Sequence, residues 1–193
     1  MGLRGARVAE TRAKIVEAVV ALHEEVGPRA TTIKAIAERA GVERLTVYRH
    51  FPDEKTLYEA CSNCWLEAHP PPDPAGPGEE PGGEARARAI LEAMNGYYRE
   101  GQAMLRQIYR DVGEIPALAE VMTGFRSYLE NLAGLLVADW PGTGEDGAWR
   151  LEATAFHVLD FRTWELMEEA GLDDPRKLSL QLGWLRGAVA AGR

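Results

Sequence analysis

The residues best suited to chemistry in this 193-residue chain lie close together: Arg44, Leu45, Thr46, Arg49 and His50. A guanidinium fork fits guanine O6 and N7, an apolar side chain such as Leu45 fits a thymine methyl, and hydroxyl or imidazole groups bond bases or phosphates. This is the chemistry of reading a major groove, and it requires these residues on the outer side of one short helix. The other chemical signals are weaker. Cys61-x-x-Cys64 has the spacing of a redox motif or half a zinc site, but no strand precedes it and no further ligand pair follows. The pair reads as two small packing residues one turn apart on a helix. The run Gly142-Thr143-Gly144-Glu145-Asp146-Gly147 satisfies G-x-G-x-x-G, but it follows Trp140-Pro141 at a helix end and reads as a helix connection. G-x-S-x-G, H-E-x-x-H and P-loop patterns are absent, so no enzymatic activity, cofactor or metal is expected.

Two short helices must position the first cluster. Ile33, Ile36, Ala37 and Ala40 form a helical stripe, with Thr31 or Thr32 as N-cap and Gly41 as the stop. A second segment, Glu43 to Phe51, follows at once. A reversal within three to four residues needs glycine, Ala37 allows a close crossing, and Val42 and Val47 fill the seam: the layout of a helix-turn-helix. Upstream, Ile15, Ala18, Val19, Leu22 and Val26 form one amphipathic stripe, and downstream Asp53 can cap a helix to about Ala68. Residues 69–83, HPPPDPAGPGEEPGG, are a loop too rich in Pro and Gly for regular structure. Helical segments are expected near Glu84–Glu100, Gln102–Val112, Pro116–Ala138, Ala148–Glu169 and Pro175–Ala190, with no alternating strand pattern. The fold class is all-α, with about nine helices.

The charge distribution agrees with this division. Residues 1–58 carry ten Lys and Arg against eight Asp and Glu, whereas the remaining 135 carry twelve against twenty-two. A mildly basic head on an acidic body suits a protein that offers one end to phosphate. No apolar run approaches the roughly 18 to 20 residues needed to span a bilayer. The N-terminus lacks the apolar stretch of a secretory signal, so a cytoplasmic protein with no membrane partner is expected.

Residues 10–60 resemble the tetracycline-repressor (TetR) family of regulators. The resemblance rests on AKIVEAVVALHEEVG, ATTIKAIAERAGV and TVYRHFPDEKTLYEA, above all on Tyr48-Arg49-His50-Phe51-Pro52-Asp53-Glu54-Lys55 with Leu57. It implies a three-helix DNA-binding domain at 1–52 and an effector-binding and dimerisation domain at 53–193. It implies a homodimer on double-stranded operator DNA, a repressor released by a small, largely apolar or aromatic effector. Thr32, Tyr48, His50 and Lys55 sit where the family contacts phosphate, and Arg44, Leu45, Thr46 and Arg49 are the candidates for base reading. Phe51 reads as a packing residue. Three positions depart from the pattern: Glu43 replaces a small capping hydroxyl, Leu45 is bulkier than usual, and His23 replaces a core aromatic and is expected to be a buried or half-buried packing residue. The competing reading is a helical protein-interaction module that has lost DNA binding.

In the body, the 148–169 segment has apolar residues on two faces, Leu151, Ala155, Val158 and Leu159 against Trp149, Phe156, Trp164 and Met167. The last segment repeats this, with Leu178, Leu182, Leu185 and Val189 against Leu180, Trp184 and Ala188. A helix apolar on both sides must bury both, which fits the family's dimer; Leu159, Gly183, Trp184 and Gly187 are the expected interface residues. The resemblance implies an effector pocket among the aromatic residues, with Tyr98, Tyr109, Phe125, His157, Phe161 and Arg162 as candidates.

Overall fold

The computed structural model describes residues 3–74, 82–138, 140 and 145–190. Among these it holds nine helices and no strand: α1 Leu3–Glu25, α2 Ile33–Ala40, α3 Arg44–His50, α4 Glu54–Ala68, α5 Glu84–Asp111, α6 Pro116–Val137, α7 Glu145–Leu159, α8 Phe161–Glu169 and α9 Asp174–Ala190. The all-α class is as expected. No helix among the described residues is long and apolar enough to cross a membrane. The chain packs as two compact units, Met1–Pro70 with Gly101–Thr123 and Pro71–Glu100 with Gly124–Arg193, so the divisions fall inside α5 and α6.

In the first unit, Ile15, Val16, Val19 and Leu22 of α1 pack on Ile36 and Ala37 of α2, Val47 and Phe51 at α3, and Leu57, Ala60 and Cys61 of α4. Val26 leaves the expected stripe and is exposed, because α1 ends at Glu25 and the chain turns through Gly27 at φ +90°. A side chain at Gly27 would put its Cβ 2.1 Å from Arg110 Nη2 and 2.7 Å from Asp111 Oδ2. The corner is held there: buried Asp111 accepts from the Arg29 backbone N–H at 3.0 Å and from Arg110 Nε at 2.7 Å, while Arg110 Nη2 donates to the Val26 carbonyl at 3.1 Å. Gly101 corrects the expected helix break. Residues 84–111 form one helix, and the glycine instead admits the Trp65 ring, which a Cβ would meet at 3.0 Å.

In the second unit, Leu151, Ala155, Val158 and Leu159 of α7 are buried together with Leu178, Leu182, Leu185 and Val189 of α9. The expected 148–169 helix is broken at Asp160, whose carboxylate accepts from the Arg162 N–H at 2.8 Å and caps α8. Ending a helix inside a core strands its last carbonyls. The Tyr98 hydroxyl donates to the Leu159 carbonyl, and Gln181 Nε2 donates to that of Val158 at 3.0 Å. Gln181 Oε1 in turn accepts from Asn95 Nδ2 at 2.9 Å, so this buried polar group is paired across α5, α7 and α9. Residues 142–144 of the glycine-rich run lie outside the described residues, and its second half, Glu145 to Gly147, begins α7. The Pro/Gly loop is described only to residue 74 and from 82, with Pro72 accepting from the Tyr128 hydroxyl at 2.8 Å.

His23 is buried as expected, its Nδ1 3.4 Å from Cys61 Sγ and its ring 5.6 Å from that of Tyr58. Burial lowers its pKa from 6.5 to about 4, against the opposing pull of Asp111. The unfolded chain therefore takes up this proton first as pH falls. His23 should contribute its full stability above pH 6.5 and lose it progressively towards pH 4, on the order of 2–3 kcal/mol. Denaturant midpoints measured across that window should fall for the native chain and flatten in His23→Phe; parallel slopes would show that another group dominates.

Candidate nucleic-acid interface

Local caps build α3 and its support. The Thr32 hydroxyl oxygen accepts from the Ala35 N–H at 3.1 Å and starts α2, which leaves its own O–H free to donate outward. Gly41, left-handed at φ 66°, closes α2 by offering its N–H to the Ala37 and Glu38 carbonyls. Glu43 then enters α3 in an extended conformation, but its carboxylate makes no cap hydrogen bond. Val47 and Phe51 point inward and are buried, which fixes the rotation of α3. Leu45 and Tyr48 are consequently left 55% and 53% exposed, Arg44 and Arg49 are exposed, and Thr46 and His50 are half-buried. Asp53 caps α4 by accepting from the Thr56 N–H at 2.8 Å, and these bonds lower its carboxyl pKa.

The distribution of counter-ions matters more than the net charge. Lys14 pairs with Glu10 at 2.7 Å, Lys34 with Glu38 at 3.7 Å, Arg39 with Glu25 at 2.6 Å and Arg29 with Glu114 at 2.7 Å. Lys55 Nζ donates to Glu120 at 2.6 Å, a partner 65 residues away that no local pattern points to. Arg44 and Arg49 hold no ion pair among the described residues, and neither does Arg12, whose guanidinium lies 4.9 Å from the Phe51 ring centroid. Arg12 thus brings a positive charge from α1 to the end of α3. The basic excess before Ile15 hints at such a residue, but spacing alone cannot say which face of α1 borders α3. A cleft of about 420 Å³ lined by Lys34, Ala37, Glu38, Val42 and Arg44 runs along the seam of α2 and α3.

The candidates of the body are not brought together. Tyr98 and Phe161 are buried edge to face, with ring centroids 5.4 Å apart, beside Trp164. Phe125 lies instead between Tyr97 and Tyr128, at 6.2 and 5.8 Å. Tyr109 belongs to the first unit. His157 and Arg162 are on the surface, and the His157 ring lies 6.0 Å from that of Trp184. Of the expected interface residues, Gly183, Trp184 and Gly187 are exposed in one stripe of α9, but Leu159 is wholly buried. Cys61 is buried and its thiol pKa is pushed up to about 12 by that burial, which suits a packing residue.

Residues 15–61 match the family model described as bacterial regulatory proteins, tetR family. No curated protein matches the chain. A structure from Pseudomonas aeruginosa PAO1, assigned as a transcriptional regulator, is 20% identical over 94% of this chain and 93% of its own, with a TM-score of 0.66. A TetR-like transcriptional regulator from Rhodococcus sp. RHA1 is 20% identical over 95% and 97%, with a TM-score of 0.61. The transcriptional regulator FadR from Bacillus subtilis, in complex with stearoyl-CoA, is 13% identical over 92% and 97%, with a TM-score of 0.60. At such identities the likeness establishes a shared fold along nearly the whole chain.

Arg44, expected to read a base, and Lys55, expected to hold phosphate, should differ in what their loss does. Arg44→Ala should cost about tenfold in affinity at one base pair and relax the preference there, while Lys55→Ala should weaken all DNA sequences alike. Binding-site selection with both variants checks this; an equal loss of base preference in the two would remove the distinction.

Proposed function

We propose that this chain, whose N-terminal domain belongs to the tetR family of bacterial regulatory proteins, is a homodimeric repressor released from its operator by a small, largely apolar or aromatic effector. DNA reading is assigned to residues 1–52 with Lys55, and effector binding and dimerisation to the rest of 53–193. The observation that carries the reading is α3 itself: two arginines without counter-ions among the described residues, beside an exposed leucine and tyrosine, on a helix anchored from behind by Val47 and Phe51. A helix so equipped fits a major groove, and Thr32, Tyr48, His50 and Lys55 supply phosphate donors around it.

Dimerisation is supported by the apolar surface the second unit leaves uncovered. Leu180, Gly183, Trp184 and Gly187 share one stripe of α9, Trp149 of α7 and Leu166 of α8 are exposed, and nothing lies within 4 Å of where a Cβ would stand at either glycine. Large exposed apolar side chains grouped with glycines suit a helix-to-helix seam about a two-fold axis. With the 148–169 segment broken at Asp160, a seam on this surface would draw on α7, α8 and α9, and not on two long helices alone. For the effector, support comes from the half-buried Phe125 and Tyr128 next to Met94 and Tyr97, and from the stearoyl-CoA held by the Bacillus subtilis structure. An effector that releases DNA must bind the DNA-incompetent state better, so operator must weaken effector binding by the same factor, commonly 5-fold to about 150-fold.

Titration of the chain against its own upstream DNA by gel shift, at two salt concentrations, tests the central reading. Salt-sensitive binding to a roughly palindromic site is expected; binding to protein partners with none to DNA would favour an interaction module. Gly187→Glu should give monomers by sedimentation and lose operator binding, and a native chain that sediments as a monomer at micromolar concentration would refute the dimer. A thermal-shift screen of acyl and aromatic compounds, repeated with operator present, tests the switch. A ligand whose affinity ignores the operator would leave the chain a binder without control.

A further inference from the structure

Lys55 is assigned a phosphate, yet its ammonium is already engaged. Its Nζ donates to Glu120 at 2.6 Å, and the carboxylates of Glu120, Glu59 and Asp53 all strengthen its hold on its proton. The paired cations of the head divide into two kinds. Lys14, Lys34 and Arg39 pair with Glu10, Glu38 and Glu25 on α1 and α2, which travel with the head. Arg29 and Lys55 pair with Glu114 and Glu120, which precede and open α6. Lys55 alone belongs both to this second kind and to the groups assigned to DNA. Glu120 is also held in place by its surroundings: Leu118 beside it is buried, and the preceding turn is tied to the α1 corner through Asp111 and the Arg29–Glu114 pair.

We propose that Glu120 is an autoinhibitory counter-ion, occupying on Lys55 the place that a DNA phosphate takes. It rests on the reading that Lys55 contacts phosphate. A lysine ammonium is a compact charge, and a carboxylate and a phosphate compete for it directly. Operator binding therefore breaks the Lys55–Glu120 pair and leaves a bare carboxylate close to the DNA backbone. A conformation that draws the start of α6 away from α4 relieves both costs and favours DNA; one that presses them together favours release. Helix α6 carries Glu120 in the first unit and Phe125 and Tyr128 in the second, so a ligand at those aromatics acts on the same helix.

The test is a double-mutant cycle read as operator affinity. Glu120→Gln should tighten binding about threefold to tenfold at roughly 50 mM salt, equally for all sequences, and less at higher salt. Lys55→Gln should weaken binding, and adding Glu120→Gln to it should restore nothing. Glu114→Gln, which removes the same charge without touching Lys55, should give the same small change in either background. A gain from Glu120→Gln that persists undiminished without Lys55 would reduce the effect to net charge and overturn the proposal, as would no gain at all in the native background. A native chain that binds no DNA would instead refute the DNA-binding reading, before the pair is in question.

Discussion

A buried carboxylate holds the head together with the strip of chain that follows it. Asp111 is almost fully enclosed, and a carboxylate so placed must be hydrogen-bonded or it costs more than the fold can bear. It is satisfied by the Arg110 guanidinium through two bonds, at 2.7 and 2.9 Å, and by the Arg29 backbone N–H. Those bonds lower its pKa, Arg110 most strongly, so it stays charged. The arrangement closes only because residue 27 has no side chain. Gly27 thus has two duties, ending α1 in a left-handed turn and admitting the charged pair.

This anchor explains why the head does not pack alone. Residues 101–123 go with α1 to α4 because Asp111, Gly101 and Glu120 each meet a residue of the head: Arg29, Trp65 and Lys55. The contacts differ in strength. Trp65 over Gly101 is buried packing, and Asp111 is a buried charge fully paired, whereas Lys55–Glu120 is an exposed ion pair. Exposed pairs contribute little to stability and exchange partners readily. The arrangement is accordingly firm at its anchor and exchangeable at the group assigned to phosphate.

The second unit resolves a conflict between helix continuity and burial. One helix from 145 to 169 would keep its backbone bonded but would fix the rotation of every side chain along it. Breaking it at Asp160 lets Phe161, Trp164 and Met167 turn into the core while Leu166 and Arg162 turn out. The cost is a pair of stranded carbonyls, offset by Tyr98 and Gln181. Tyr98 therefore has a structural duty for its hydroxyl, which a search for polar groups in an aromatic region cannot distinguish from a ligand contact.

The sequence by itself determined whatever depends on neighbours three or four residues away. A cap at Thr31 or Thr32, the cap at Asp53, the stop at Gly41, the inward Val47 and the outward Arg44 and Leu45 are all local consequences of helical period and cap chemistry, and the structure chose Thr32. So is the second apolar stripe of α9, because two-sided apolar periodicity is visible along the chain. Only the tertiary structure decided the role of Gly101, since whether a glycine breaks a helix or admits a ring depends on Trp65, far away in sequence. It kept Gly101 inside one continuous α5, which sets Tyr98 and Tyr109 about three turns apart, and it put His157 beside Trp184 on the surface, because side chains on different helices meet through packing angles that no one-dimensional pattern encodes. It also set Glu120 against Lys55: an exposed ion pair between distant residues leaves no periodic trace, and its partners are chosen by the buried anchor at Asp111.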